Sequence, residues 1–153
     1  MQSVRPGHQI LCTGNSCRSQ MAAAYLEELA GDRLQVYSAG TEPEEDIHPL
    51  TRVVLSEDGL DISDRRPTHF REYLGRIPVY YLLIVCDGAA KSCPSVWPGV
   101  MERLSWPFDD PAAVDGTHDE KLAAFRQTRD EIKARVKSWT DSLTLQPAVN
   151  EAE

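Results

Sequence analysis

Cys12 and Arg18 stand with five residues between them in the string Cys12-Thr13-Gly14-Asn15-Ser16-Cys17-Arg18-Ser19, which follows a short apolar run and opens a helical pattern. In that setting the loop's backbone N–H groups and the helix N-terminus converge on one point, where a tetrahedral oxyanion fits. Arg18 adds a planar, permanently charged fork for two of the anion's oxygens. The same field favours a thiolate, so Cys12 reads as a nucleophile facing the anion it helps to hold. Thr13, Gly14, Asn15, Ser16, Cys17 and Ser19 complete the cradle, with Gly14 and Asn15 able to accept a positive φ where the loop needs one. The Cys17 thiol itself reads as packing inside the loop, not as chemistry.

Two further groups have residue types suited to reaction. Cys86 ends the apolar stretch that starts at Val79, and Cys93 follows in Cys86-Asp-Gly-Ala-Ala-Lys-Ser-Cys93-Pro94. Zinc suits the cysteine spacings poorly, since neither Cys12 with Cys17 nor Cys86 with Cys93 forms the short knuckle of structural sites. Two readings of the downstream pair stay open. They are idle, partly buried thiols, or they are a redox pair: Cys86 reaches the Cys12 sulfur from the same sheet edge, and Cys93 takes over the bond by thiol–disulfide exchange. The other group is Trp106-Pro-Phe-Asp109-Asp110-Pro111. Alone it reads as a helix-capping turn. Beside an anion loop, a carboxyl on a rigid Pro-flanked segment suits protonation of a departing oxygen. His8, His48, His69 and His118 show no metal-ligand spacing, and no metal is expected.

Such groups meet only if a sheet delivers them to one edge. The residues up to Ile10-Leu11 form a weak first strand, interrupted by Pro6-Gly7 and ending at the Cys12 loop. A helix over Ser19–Leu29 follows, with Met21, Tyr25 and Leu29 on one stripe and Gly31-Asp32 as its stop. Leu34–Gly40 alternates like a strand, and Pro49–Asp58 suits a helix with Pro49 in its first turn and Gly59 at its end. Thr68–Leu74 is expected as a short helix, Val79–Val85 as a strand buried on both faces, and Leu104–Trp106 as a short fourth strand. Leu122, Phe125, Ile132, Val136, Trp139 and Leu143 recur at helical steps among charged residues, marking the last helix. Alternating strands and helices predict an α/β three-layer sandwich: a four-stranded parallel sheet with helices on both faces and the ligand at the strands' carboxyl ends.

The totals limit the partners. At 153 residues the chain suits one domain, taken as residues 1–145, with a polar tail at 146–153. A formal charge of −8 argues against nucleic acid and acidic membranes, so any anion affinity must be local. The apolar run Val79–Cys86 is far too short to span a bilayer, and residues 1–11 lack a signal peptide's basic and apolar regions. A cytoplasmic, reducing location is expected, where cysteines are more often catalytic or metal-bound than structurally bridged.

Taken together, these residues resemble the thioredoxin-coupled arsenate reductases, which share the low-molecular-weight protein tyrosine phosphatase fold. The likeness runs from about Ile10 to about Leu143. It is carried by Cys12–Met21, Val36–Gly40, Asp61-Ile-Ser63, Cys86-x6-Cys93-Pro94, Trp106-x-Phe-Asp-Asp-Pro111 and Phe125-Arg-x-x-Arg-Asp-Glu-Ile132. The resemblance implies that arsenate, with phosphate or sulfate as mimics, enters the loop held by Arg18. Cys12 attacks arsenic, and Asp110 protonates the leaving hydroxyl. Cys86 then attacks Cys12, Cys93 attacks Cys86, and thioredoxin reduces the final disulfide. It implies no tightly bound cofactor and a monomer. Relatives hold a potassium ion beside the loop with carboxylates at positions where this chain has Ala23 and Thr68, which argues against that ion here. The rival reading is a phosphatase of phosphotyrosine or small phosphoesters using Cys12, Arg18 and Asp110 alone. Ala112-Ala113 count against it, because such phosphatases place ring-stacking aromatics after the Asp-Pro.

Overall fold

The computed structural model describes residues 9–13, 17–32, 34–39, 47–66, 68–69, 72–73, 76, 78–85, 100 and 102–143. Strand β1 spans Gln9–Thr13, β2 Gln35–Ala39, β3 Tyr81–Ile84 and β4 Glu102–Ser105. All pairings are parallel and the order is β2-β1-β3-β4. Despite its polar approach, β1 is a central strand: Ile10, Leu11 and Cys12 are completely buried between two neighbours. The ladder carries β1 past its expected end at Leu11 to Thr13, so Cys12 lies inside the strand, opposite Ser38 of β2 and Leu83 of β3. The fourth strand begins two residues and ends one residue earlier than the sequence suggests. Trp106 leaves it after one last backbone bond to the Ile84 carbonyl (2.9 Å) and turns into the core.

Helices α1 (Arg18–Ala30), α2 (Pro49–Glu57) and α3 (His118–Leu143) complete the described framework. Local chemistry sets their ends. The His48 ring Nδ1 accepts from the Leu50 N–H (3.1 Å), with Pro49 following at the first helical position. At the far end of α2, Gly59 adopts φ +79°, and Leu60 and Gly59 bond back to the carbonyls of Leu55 (3.0 Å) and Ser56 (2.9 Å). This is the Schellman closure that a glycine permits. A capping box starts α3: the Thr117 hydroxyl accepts from the Glu120 N–H (3.1 Å), while the Glu120 carboxylate accepts from the Thr117 N–H (2.7 Å).

The strands' period of two divides the core. Ile10, Cys12, Tyr81 and Leu83 face the helices, packing with Met21, Leu26, Val54, Phe125, Ile132 and Val136. Leu11, Ala39, Val79 and Leu82 face the other way, beneath Tyr37, Tyr73 and Val100. The short helix expected over 68–74 falls partly outside the described residues. Those described make turns, with Glu72 N bonded to the His69 carbonyl and Arg76 N to that of Tyr73. Polar contacts tie α3 to α2. Arg129 donates to the Val54 carbonyl (2.9 Å) and to Glu57 (2.7 Å), and Lys133 reaches Asp58 (3.1 Å). Among the described residues no helix is long and apolar enough to cross a membrane.

Candidate active site

Parallel pairing brings the end of β1 to the sheet's carboxyl edge, where ligands of such sheets bind. Cys12 is fully buried there, on the helix-covered side. Burial pushes its thiol well above the ordinary range, and the positive charge of Arg65 pulls it back. Arg65 had no part in the expectations from sequence. It is half-buried, and its guanidinium pairs with the carboxylate of Glu27 on α1.

Arg18 opens α1 and is 4% exposed, as a residue at the foot of an anion loop should be. Its Nη1 donates to the Phe108 carbonyl (2.7 Å), and its Nη2 faces Asp110 Oδ2 at 3.9 Å. The segment carrying Asp110 is anchored on both sides. Upstream, Trp106 is buried, stacked edge-to-face on Trp139 of α3 (6.0 Å), with Arg135 over its ring (5.0 Å). Downstream, buried Pro111 starts a single 3-10 turn, Pro111–Ala113, whose N-cap is Asp110. Asp110 Oδ1 accepts from the Ala112 N–H (3.0 Å). The capping reading of the Asp-Asp-Pro string is thus met by one carboxylate oxygen, and the other faces the arginine. Asp109 is exposed, which leaves Asp110 as the aspartate facing the arginine.

Other expected site residues divide by location. Cys17 is the buried N-cap residue of α1, and Ser19 is buried in its first turn. Thr13 closes β1. Gly14, Asn15 and Ser16, and the cysteines Cys86 and Cys93, lie outside the described residues. At the two positions weighed for a potassium ion, Ala23 contributes a buried methyl and the Thr68 hydroxyl donates to the Arg66 carbonyl (3.4 Å). Among the described residues no cluster of His, Cys, Asp or Glu has a metal's geometry. A cavity of about 450 Å³ lies elsewhere, between α2 and the following segment, lined by Val53, Leu60, Ile62, Arg52 and Asp61. It includes neither Cys12, Arg18 nor Asp110.

Sequence reasoning missed Arg65 and the Phe108 carbonyl. Arg65 lies just beyond Asp61-Ile-Ser63, one of the strings singled out above, so its neighbourhood was signalled though its role was not. Phe108 acts through its main chain, which every residue type shares.

A buried cysteine at the carboxyl end of a central parallel strand, followed by a helix opened by an arginine that holds an Asp-Pro turn, defines a phosphatase-like oxyanion-handling domain. The family model for low molecular weight phosphotyrosine protein phosphatases matches residues 9–149, and the chain belongs to that family. Within it the chain belongs to the arsenate reductases. It is 42% identical over 133 residues to an arsenate reductase of Halalkalibacterium halodurans, covering 86% of this chain and 93% of that one. Among solved structures, an arsenate reductase in the phosphate binding state superposes with a TM-score of 0.72 at 25% identity, covering 90% of this chain and 98% of that chain. A thioredoxin-dependent arsenate reductase of Corynebacterium glutamicum superposes with a TM-score of 0.68 at 29% identity, covering 95% of this chain and 66% of that chain.

Proposed function

We propose that this protein reduces arsenate to arsenite through a relay of Cys12, Cys86 and Cys93, with thioredoxin as the external dithiol. The observation that carries the reading is the buried Arg18, which holds the Asp110 turn at the carboxyl end of the strand bearing Cys12. That arrangement supplies a nucleophile, an anion fork and a proton donor on one edge. Arsenate has the charge and tetrahedral shape that Arg18 and the residues from Thr13 to Ser19 suit.

The Cys12 thiolate forms a sulfur–arsenic bond as an oxygen leaves arsenic, and Asp110 gives that oxygen its proton. Cys86, as thiolate, then attacks the Cys12 sulfur. The sulfur–arsenic bond breaks with its electron pair going to arsenic, so arsenic is reduced by two electrons and the two cysteines are oxidised to a disulfide. Cys93 attacks Cys86, releasing Cys12 as thiolate and leaving a Cys86–Cys93 disulfide. The thioredoxin dithiol returns two electrons and two protons to that bond.

Hydrolysis of an aromatic phosphoester is less well served. Ala112 and Ala113 are exposed on the 3-10 turn, so the position after Asp110-Pro111 offers no ring for a phenol to stack against. The test compares the native chain with Cys93→Ser, using thioredoxin, its reductase and NADPH with arsenate. Multiple turnovers by the native chain are expected, with the variant stopping at a trapped Cys12–Cys86 bond identified by mass spectrometry. Hydrolysis of an aryl phosphate by both proteins, with no arsenate turnover by the native chain, would sink the reductase reading.

A further inference from the structure

A general acid works only where it stands within reach of the departing oxygen. The stretch from Pro107 to Asp110 belongs to no strand or helix, so its neighbours must hold it in place. Arg18 fixes the middle through the 2.7 Å bond to the Phe108 carbonyl. Both ends lie against α3. Downstream, the 3-10 turn Pro111–Ala113 packs on that helix. Upstream, Trp106 is 4% exposed and meets Trp139 of α3 with ring centroids 6.0 Å apart and planes at 72°. Trp139 is braced in turn by Tyr81 of β3, at 5.0 Å and 88°. Arg135, one helical turn before Trp139, lies over the Trp106 ring at 5.0 Å. The Trp106 N–H donates to the Ile84 carbonyl (2.9 Å), which ties its main chain to the end of β3. Pro107 then restricts the backbone on both sides of that peptide bond, so the setting of Trp106 passes along a stiff stretch toward Asp110.

We infer that Trp139 is a positioning residue for the general acid: acting through Trp106, with Arg135 beside it, it holds the Asp110 carboxyl where the departing oxygen takes its proton. The inference rests on Asp110 being the acid of the proposed reaction, an assignment that the phosphatase reading shares. A leucine at position 139 would still supply apolar contact, and what the indole adds is direction. Edge-to-face pairs fix the relative orientation of two rings, and Trp139 makes two of them, one with Tyr81 inside the sheet and one with Trp106 at the root of the acid segment. Arg135 is exposed, so its place over Trp106 is open to substitution without disturbing the core. One helix thus meets both ends of the acid segment while Arg18 of α1 meets its middle, which sets the anion fork and the proton donor in a common frame.

The experiment measures single-turnover arsenite release by the full reduced chain for Trp139→Leu, Trp139→Phe and Arg135→Gln. Each is made with Asp110 intact and again with Asp110→Asn, beside thermal melts and phosphate binding by calorimetry. With the acid intact, Trp139→Leu should slow release about tenfold and Arg135→Gln about threefold, while Trp139→Phe keeps most of the rate because a ring remains. Phosphate affinity should stay within about twofold, since Arg18 is untouched. In the Asp110→Asn background the same substitutions should alter the rate by less than about twofold, because no acid is left to misplace. Equal losses with and without Asp110 would overturn the inference and make Trp139 a structural residue. Full activity in Trp139→Leu would also overturn it. If Trp139→Leu does not fold, Arg135→Gln on the exposed side of α3 decides the same comparison. Native activity keeps the two readings apart. Hydrolysis of para-nitrophenyl phosphate without arsenate reduction removes the reductase reading, and the cycle is then read on the ester, whose departing phenolate needs the same proton. Arsenate reduction with equal losses in both backgrounds does the reverse, and a native chain inactive on both compounds removes both readings.

Discussion

Replacing Asp110 by asparagine separates its two roles, because its two carboxylate oxygens have different partners. Oδ1 accepts from the Ala112 N–H at 3.0 Å, and Oδ2 faces Arg18 at 3.9 Å. Asparagine keeps a carbonyl oxygen for Ala112 and loses the charge and the acidic proton. Stability should change little, since an ion pair this long, on a side chain 27% exposed, contributes about 0–1 kcal/mol. Alanine removes the cap as well, which should cost a further ~1 kcal/mol. Catalysis responds on another scale. A positioned general acid contributes roughly 10²–10⁴-fold, or about 2.7–5.4 kcal/mol of barrier. The assay is single-turnover arsenite release by the reduced protein without thioredoxin, run beside urea melts for the native chain, Asp110→Asn and Asp110→Ala. Both variants should lose similar rate, while only the alanine loses measurable stability. An asparagine variant within about threefold of the native rate would refute the acid assignment. Equal destabilisation of both variants would refute the division between the two oxygens.

Arg18→Lys keeps the charge but gives up the fork that serves the Phe108 carbonyl and an anion together. Phosphate binding, followed by calorimetry, should weaken by about 1.5–3 kcal/mol, and unchanged affinity would mean that the fork is not used. Tyr25→Phe tests the junction of α1, α2 and α3. The Tyr25 hydroxyl donates to Asp58 (2.5 Å) and, with Lys133 next, holds that carboxyl below its ordinary value. The native state therefore binds a proton there less readily than the unfolded chain. The contribution is full above the usual carboxylate range and is lost as pH falls through the folded value. The variant should be less stable by about 1.5–3 kcal/mol near neutrality, with the gap closing in acid. Urea melts at several pH values check this, and a gap that does not change with pH would contradict it.

What the sequence disclosed follows from where its signals are local. Val79–Val85 announced β3 because a strand buried on both faces is apolar throughout, and Gly59 announced the end of α2 because only a glycine takes φ +79° without strain. The start of α3 was missed for an instructive reason. Its apolar period begins at Leu122, whereas the helix begins at His118, where the Thr117–Glu120 capping box is the signal and periodicity is silent. The full length of β1 was illegible because Thr13 is held by the ladder to β2 and β3, a tertiary effect. In the site, Cys12, Arg18 and Asp110 were readable because side-chain chemistry reveals itself by type and spacing. The Phe108 carbonyl and the Arg65–Glu27 pair were not: one is main chain, and the other joins segments far apart in sequence.

The site's cations must work against the protein's own field, since the chain carries a formal charge of −8 and its ligand is an anion. Arg18 and Arg65 each face a carboxylate, but the proposed reaction treats the two pairs differently. Glu27, 39% exposed on α1, takes no part in the chemistry, so its hold on Arg65 is constant. Asp110 must carry a proton to act as the acid, and while it does it does not compete with the substrate for Arg18. When that proton passes to the departing oxygen, Asp110 becomes an anion again, 3.9 Å from the arginine, and draws on the fork that was holding the ligand. A separation too long for a hydrogen bond suits a contact that must switch, whereas the 2.7 Å bond to the Phe108 carbonyl keeps Arg18 and the acid turn in register throughout. Retention of the substrate before proton transfer and a weaker grip afterwards then follow from one ion pair and one fixed hydrogen bond.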